Sequence, residues 1–122
     1  MEIQHTKKIK ITCKRKRSDD FKKLNQLITT IACGTLDDVK HILKNKEILS
    51  LINNSNVKGL TPLMYAVEVG DVDVAEELIK AGADVSIINH RGNTALTETL
   101  LHKSYPNRYA MIRMLKKYGA EL

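Results

Sequence analysis

The sequence predicts an all-α solenoid, a stack of helix–turn–helix units, and three observations support this prediction. Residues 59–86 contain two short helical patterns, each with its own start signal. Much of that pattern returns at residues 92–119, and an internal repeat of this period is typical of solenoids. Helices of about nine residues are marginal alone in water, so each unit requires neighbours that bury its apolar side.

The middle unit carries the clearest helix signals in the chain. Thr61 is a good N-cap, and Pro62 suits the first helical position because an N–H has no intrahelical partner there. Gly70 is predicted to end this helix and Asp71 to cap the next one. Gly82 then supplies a left-handed residue at the end of the second helix. The apolar stripe of the second helix consists of Val74, Ala75, Leu78 and Ile79.

The stretch GLTPLMYAVEVG at 59–70, followed by LIKAGADV at 78–85, resembles the ankyrin repeat. The resemblance is close over residues 56–88 and looser over residues 89–122. It implies an ankyrin-repeat solenoid of about three repeats, joined by hairpin-like fingers. Within a repeat domain at 18–122, we predict a degenerate first repeat at 18–55, a second at 56–88 and a divergent capping repeat at 89–122.

The predicted first repeat has two helices with weaker signals. Ser18, Asp19 and Asp20 are expected to cap a helix that ends at Gly34. Thr35 begins a second helix with a pattern similar to a capping box. A longer connection, residues 44–51, stands where the second repeat has its tight Gly-Ala-Asp stop. The expected apolar faces are Phe21, Leu24, Leu27, Ile28 and Ile31 in the first helix and Val39, Ile42 and Leu43 in the second.

The third repeat departs from the family pattern between its two helices. No glycine separates them, and the span from Gly92 to Gly119 is four residues longer than its counterpart in the second repeat. We expect an enlarged loop here, with Pro106 and Asn107 starting the last helix. Tyr105, within the loop, is expected either to contact a partner or to cover the end of the stack, and so is Tyr109.

The C-terminal end of the stack is predicted to be uncovered. Lys116 aligns with Ile79, and a charged residue suits a surface on which no further repeat packs. Met114 and Tyr118 are expected to remain as exposed apolar residues at this end. We predict a monomer, and self-association or a partner over this end stays open as an alternative.

Residues 1–17 are predicted to form a basic, disordered tail outside the repeats. All of the net charge of +6 lies in the segment that ends at Lys23, because the later basic and acidic residues cancel. The tail contains the compact basic cluster Lys14, Arg15, Lys16 and Arg17. Three roles stay open for this cluster: a nuclear-import signal, a contact for nucleic acid or acidic membrane, and solubility alone.

No combination of residues predicts an enzyme, a cofactor or a metal site. The four histidines are scattered, the two cysteines fit no metal spacing, and neither a phosphate loop nor a nucleophile elbow occurs. Cys13 and Cys33 are predicted to be reduced thiols of a cytosolic-type compartment. There is no apolar run of about 18 residues and no signal-peptide pattern, so we expect neither membrane insertion nor Sec-type export.

The resemblance also implies a function. In ankyrin repeats, the fingers and the outer surface of each first helix form a concave face that binds partners. We therefore predict a protein–protein interaction module; the alternatives are a nuclear or nucleic-acid-associated protein targeted by the tail, and a structural fragment without activity. The residues placed on that face are Val57, Lys58, Leu60, Glu68, Val69, His90, Arg91, Asn93, Leu101 and His102.

The predicted location is cytoplasmic. Lys, Ile and Asn are abundant, and their A/T-rich codons indicate an AT-rich genome, such as that of an intracellular bacterium or a large DNA virus. Ankyrin proteins of such organisms are frequently directed at the host. If the protein is a secreted effector, the predicted location is the cytoplasm or nucleus of a host cell.

Overall fold

The computed structural model describes residues 20–121, and every regular element in this range is a helix. The predicted tail with its basic cluster, the cap at Ser18 and Asp19, and Cys13 lie outside the described residues. In chain order the helices are α1 (residues 20–33), α2 (Leu36–Ile42), α3 (Lys46–Leu49), α4 (Pro62–Val69), α5 (Val72–Lys80), α6 (Ala95–Leu101) and α7 (Arg108–Lys117). The predicted all-α fold class is confirmed for this range.

Helices α2, α4 and α5 begin at the predicted caps, and α6 begins after Thr94, the residue of the next repeat equivalent to Thr61. The side chains of Thr61, Asp71 and Thr94 each accept a hydrogen bond from the backbone N–H three residues later, at 3.2–3.3 Å. Thr35 and Asp38 form a complete capping box at the start of α2. These bonds satisfy donors that have no partner within the helix, so the helix starts follow from local sequence.

The helices stack in layers around one apolar core. Helices α4 and α5 form one helix–turn–helix unit, and α6 and α7 form the next. Helix α4 packs against α6, while α5 packs against both α2 and α7. The middle unit therefore lies between the other two. The largest fully buried apolar side chains of this core include Leu27, Ile31, Val39, Leu63, Val67, Val74, Leu78, Leu96, Met111 and Leu115.

The long connection after α2 contains a short helix, α3, that the sequence pattern did not predict. Asn45 caps it by accepting hydrogen bonds from two backbone N–H groups, at 2.9 and 3.3 Å. The apolar side chains of Ile48, Leu51 and Ile52 are buried. Asn53 then contacts the backbone at the end of α5, where it donates at 3.2 Å and accepts at 2.7 Å. The connection thus adds to the core and joins the first unit to the second.

The predicted start of the last helix at Pro106 is wrong. Helix α7 begins at Arg108, and Asn107 precedes it in a left-handed conformation with φ of 55°. Asn107 therefore resembles Gly70, the left-handed residue between α4 and α5, because asparagine tolerates this conformation better than most residues. Pro106 belongs to the loop and lies against Gly70.

The expected exposure of two apolar residues at the C-terminal end is also wrong. Met114 is only 7% exposed, because it faces the core. Tyr118 is half-buried, and its hydroxyl donates a hydrogen bond of 2.8 Å to Glu76. This bond holds the pKa of Glu76 below its usual value and raises the pKa of Tyr118. Lys116 is exposed, as predicted.

Phe21, predicted on the apolar face of α1, is more exposed than expected. Phe21 is 47% exposed, and nothing in the described part of the chain covers it further. Leu24, Leu27 and Ile31 are buried, as the helical spacing predicts, and Ile28 is half-buried. The core-facing stripe of α1 is therefore narrower than expected.

Candidate partner-binding face

Two fingers, residues 56–60 and 89–93, have the same internal hydrogen bonds. The Asn56 side chain accepts from the backbone N–H of Lys58 and Leu60, at 3.0 and 3.1 Å. Asn89, at the same position of the next repeat, accepts from the equivalent N–H groups of the second finger at 2.9 and 3.1 Å. A backbone hydrogen bond closes each finger, at 3.0 and 2.9 Å. The asparagine at the base of each finger therefore defines its hairpin-like shape.

Each of these asparagines also ties its finger to the helix that follows. The Asn56 amide donates to the hydroxyl of Tyr65 on α4 at 2.7 Å. The Asn89 amide donates to a carboxylate oxygen of Glu98 on α6 at 2.6 Å. Tyr65 and Glu98 occupy equivalent positions of the second and third repeats. The two repeats therefore anchor their fingers at the same position, with a tyrosine hydroxyl as the acceptor in the second repeat and a carboxylate in the third.

Glu98 is a nearly buried carboxylate, with a side chain only 8% exposed. Its Oε2 accepts from Asn89 and, at 3.0 Å, from Asn93. Its Oε1 lies 2.9 Å from His102 Nε2 and 3.8 Å from Arg91 Nη1. Burial acts to raise the pKa of Glu98, but these hydrogen bonds and positive charges outweigh it, so the pKa lies below its usual value. Glu98 therefore holds the second finger against α6 as an ionised group.

A cavity of about 440 Å³ lies between the fingers and the helices α4 and α6; we call it the finger pocket. Its lining residues are Lys58, Leu60, Glu68, Asn89, His90, Arg91, Glu98, His102 and Tyr105. Six of them, Lys58, Leu60, Glu68, His90, Arg91 and His102, were placed on the partner-binding face from the sequence. The structure brings these six together at one site.

The two fingers are in direct contact across this pocket. The imidazole of His90 in the second finger lies over Gly59 of the first finger. A Cβ added at Gly59 would be 2.3 Å from the nearest atom of that ring. The φ of Gly59 is +78°, a second reason for glycine at this position. The glycine thus permits the close approach of one finger to the next.

The comparison with known protein families agrees with this architecture. A family model described as ankyrin repeats, in three copies, matches residues 27–122. The chain belongs to the ankyrin repeat family. Ankyrin repeats mediate protein–protein interactions and are a non-catalytic interaction module. No curated protein matches the chain.

The other four predicted site residues do not line the finger pocket of this ankyrin domain. Val57 and Leu101 are 76% and 61% exposed, and Val69 is also exposed. They are apolar side chains that nothing in the described residues covers. Asn93 is half-buried and bonded to Glu98, so it supports the finger instead of facing outward.

Of the other three lining residues, Asn89 and Glu98 were not predicted as site residues, and Tyr105 was expected either to contact a partner or to cover the end of the stack. The equivalent placement of Asn56 and Asn89 in successive repeats was a usable signal for the first of them. The spacing of Glu98 on α6 and His102 at its C-cap, four residues apart, was a usable signal for the second. Tyr105 is in the enlarged loop, and its distance from the pocket could not be read from spacing.

The enlarged loop of the third ankyrin repeat is held by several specific contacts. Arg108 donates to the carbonyls of Thr99 and Leu100 at the end of α6, at 2.9 and 3.0 Å. Tyr105 stacks on His102, with ring centroids 4.7 Å apart. Burial raises the pKa of Tyr105, and the nearby carboxylates of Glu68 and Glu98 add to this. The loop therefore presents Tyr105 to the finger pocket as a neutral phenol.

The described residues offer little for other kinds of site. Between residues 20 and 121, no group of three His, Cys, Asp or Glu side chains is arranged to hold a metal ion. Cys33 is an exposed free thiol. Within the same range, no helix has the length and apolar character needed to cross a membrane.

The buried carboxylate predicts an acid-sensitive component of stability. The pKa of Glu98 is lowered in the folded state, so its contribution is complete above the unfolded pKa and is lost as the pH falls through the folded one. Glu98→Gln should therefore lower the free energy of unfolding by about 1–2 kcal/mol near pH 6 and by much less near pH 3. Urea denaturation at several pH values measures this difference.

Glu68→Gln is the matched control for this measurement, because Glu68 is an exposed glutamate of the same pocket. Its effect on the unfolding free energy should be small, because an exposed charge contributes little to stability. An equal loss from Glu98→Gln at pH 3 and pH 6 would show that the carboxylate charge does not stabilise the finger.

Proposed function

We propose that this ankyrin domain binds a partner protein through the finger pocket and the exposed apolar residues around it. The observation that carries the proposal is the convergence of six predicted face residues on one cavity between two fingers. Protein interfaces combine apolar contacts with a few well-placed polar groups, and this surface contains both kinds.

The rigidity of the fingers supports the same proposal. Each finger is closed by an asparagine, tied to a helix and, in the second finger, braced by the nearly buried Glu98. A preformed surface loses little conformational entropy on association, so more of the contact energy appears as affinity. The exposed Val57 and Leu101 supply apolar area that a partner can bury.

The test is capture of a partner by the full chain followed by comparison of two charge-matched variants. The first is Lys58→Glu/His90→Glu/Arg91→Glu, which changes three exposed positions of the finger pocket. The control is Lys44→Glu/Lys46→Glu/His41→Glu, which changes two cations and one histidine, all exposed, in the first repeat. Both variants alter the net charge equally and replace no buried side chain.

The pocket variant should reduce capture of the partner at least about tenfold, because it places three negative charges where the partner binds. The control should capture as much as the parent protein. Quantitative mass spectrometry after affinity capture measures both, and thermal melting verifies that both variants fold. Equal capture by the two variants would refute the finger pocket as the binding surface.

The alternative, a nuclear or nucleic-acid-associated function carried by the basic cluster, rests on charge outside the described residues. No observation in residues 20–121 favours it, so it stays a prediction, as do the cytoplasmic or host location and the monomeric state. It is separable from the first proposal, because binding by the tail should weaken steeply with salt and binding by the pocket should depend on Lys58 and Arg91.

A further inference from the structure

We propose that the finger pocket recognises an acidic side chain, an aspartate or glutamate in an extended segment of the partner protein. This rests on the proposed function, because it names the chemistry of the partner at the same site. The inference follows from three properties of the described residues: the hydrogen-bond groups already used, the distribution of charge, and the continuity of the pocket with a second cavity.

The acceptors of the finger pocket are largely engaged within the protein. Both oxygens of Glu98 accept from side chains of the pocket region, and the Asn89 side-chain oxygen already accepts two backbone N–H groups. Of the two pocket carboxylates, only the exposed Glu68 forms no hydrogen bond or ion pair with another described residue. A cationic ligand would therefore find one available carboxylate.

The donors of the finger pocket are largely available. Lys58 forms no ion pair with an acidic group in residues 20–121, and its side chain is exposed. Arg91 approaches Glu98 only to 3.8 Å, too far for a hydrogen bond, and is also exposed. The Tyr105 hydroxyl donates to no acceptor in the same range. A carboxylate accepts several hydrogen bonds at once and is the ligand that such a set of donors fits best.

The exposed charges of the finger pocket are unbalanced, although the charges of the folded part as a whole cancel. From Leu24 onward, basic and acidic residues balance. The finger pocket contributes Lys58 and Arg91 against Glu68 and Glu98, and Glu98 is already surrounded by donors. Because Glu98 is nearly buried, the charges that a ligand meets at the pocket are those of the exposed Lys58, Arg91 and Glu68, and the cations outnumber the carboxylate two to one. This complementarity favours an anionic partner group.

A second cavity extends this surface along the enlarged loop. It has a volume of about 580 Å³ and shares Tyr105 with the finger pocket. Lys103 and the exposed Tyr109 lie on it, so the donor-rich and aromatic surface continues past the first cavity. An extended segment with an acidic residue in the finger pocket and an apolar residue near Tyr109 fits both cavities.

Nucleic acid fits this surface less well than an acidic peptide. Binding to a phosphate backbone neutralises several phosphates with separate cations, and Glu68 would lie among them. The pocket itself offers two available cations, Lys58 and Arg91, which match a single carboxylate. A nucleic-acid ligand is accordingly an outcome that the test must detect.

The test selects binders from a displayed library of random twelve-residue peptides, using the full chain as target. The selected peptides are then titrated, each with a second version in which its acidic residue is replaced by the neutral amide. The protein variants are Lys58→Gln/Arg91→Gln, the control Lys44→Gln/Lys46→Gln, and the tail variant Lys14→Gln/Arg15→Gln/Lys16→Gln/Arg17→Gln. The tail variant is needed because a basic tail can also attract acidic peptides.

Selected peptides should share an aspartate or glutamate, and replacing it should weaken binding about tenfold. The affinity of the Lys58→Gln/Arg91→Gln variant for these peptides should fall by a similar factor. The control and the tail variant should keep the affinity of the parent protein. Glu68→Gln should strengthen binding about two- to threefold, because it removes the repulsion from the pocket.

Three results would overturn the inference, and they separate it from the proposed function. Peptides that need the finger pocket but share no acidic residue would refute the acidic ligand and leave the binding function intact. If the selected peptides lose affinity only in the tail variant, both the acidic ligand and the proposed function of the pocket are refuted. The same holds if no selected peptide depends on the finger pocket. A single-stranded DNA decamer that binds the pocket more tightly than the peptides would replace the peptide with a nucleic-acid ligand.

Discussion

Leu78→Ala should lower the free energy of unfolding by about 2–5 kcal/mol, because it leaves a cavity inside the stack. Leu78 is fully buried in α5, the helix that packs against both α2 and α7. The neighbouring layers cannot collapse onto the space without shifting both interfaces. Urea denaturation followed by circular dichroism measures the loss.

Leu101→Ala is the matched control, since Leu101 is the same residue type at 61% exposure. Its effect on the unfolding free energy should be within about 0.5 kcal/mol. Domains of this kind have total stabilities of about 5–15 kcal/mol, so the Leu78 variant should also melt at a much lower temperature. Similar losses from the two variants would mean that α5 is not the buried middle layer.

Gly70→Ala is the second substitution with a large expected effect. Gly70 ends α4 with φ of +85°, and an added Cβ would lie 2.6 Å from Pro106 Cβ and 2.7 Å from its carbonyl oxygen. The left-handed conformation should cost alanine about 1–2 kcal/mol, and displacement of the loop backbone about 1–3 kcal/mol more. Chemical denaturation again provides the measurement.

Gly82→Ala separates these two contributions. Gly82 also has a positive φ, +115°, at the end of a helix of the same repeat, but an added Cβ there meets no atom within 4 Å. Gly82→Ala should therefore lower the free energy of unfolding only by the cost of the left-handed conformation, about 1–2 kcal/mol. If both variants lost the same free energy, the contact between Gly70 and the enlarged loop would contribute nothing.

The Gly70 variant should also disturb the finger pocket, although Gly70 does not line it. The Asn107 side chain donates to the Gly70 carbonyl at 2.7 Å, and the loop that contains Pro106 also presents Tyr105 to the pocket. A shift of this loop should therefore move Tyr105 away from His102. The structure thus couples a helix end in the second repeat to the binding surface of the third.

The sequence predicted those features that depend on a few neighbouring residues. The caps at Thr61 and Asp71 are hydrogen bonds across three residues, and the left-handed glycines reflect backbone sterics alone. The internal repeat extended these local signals to a stack, because short helices need neighbours. The family assignment has the same origin and is confirmed by the family comparison.

Prediction from the sequence was wrong where packing between repeats decides the structure. The connection after α2 forms the helix α3 because its apolar side chains are buried in the core. Its apolar pattern is too short to show a helical period. Met114 is buried because of the orientation of α7 on α5, which no local signal specifies. Asn107 takes the left-handed position of a glycine, and only the shared geometry reveals that equivalence.

The candidate site also has features that the sequence predicted and features that only the structure decided. The sequence alone determined the repeat architecture, because it follows from periodic local patterns, and the resemblance to ankyrin repeats implied the finger positions. Only the tertiary structure decided which of those positions meet in one pocket, and that Glu98 is a braced carboxylate whose acceptors are already used. The physical reason is that hydrogen bonding and charge between fingers, helix and loop depend on distances across repeats, which residue spacing does not contain.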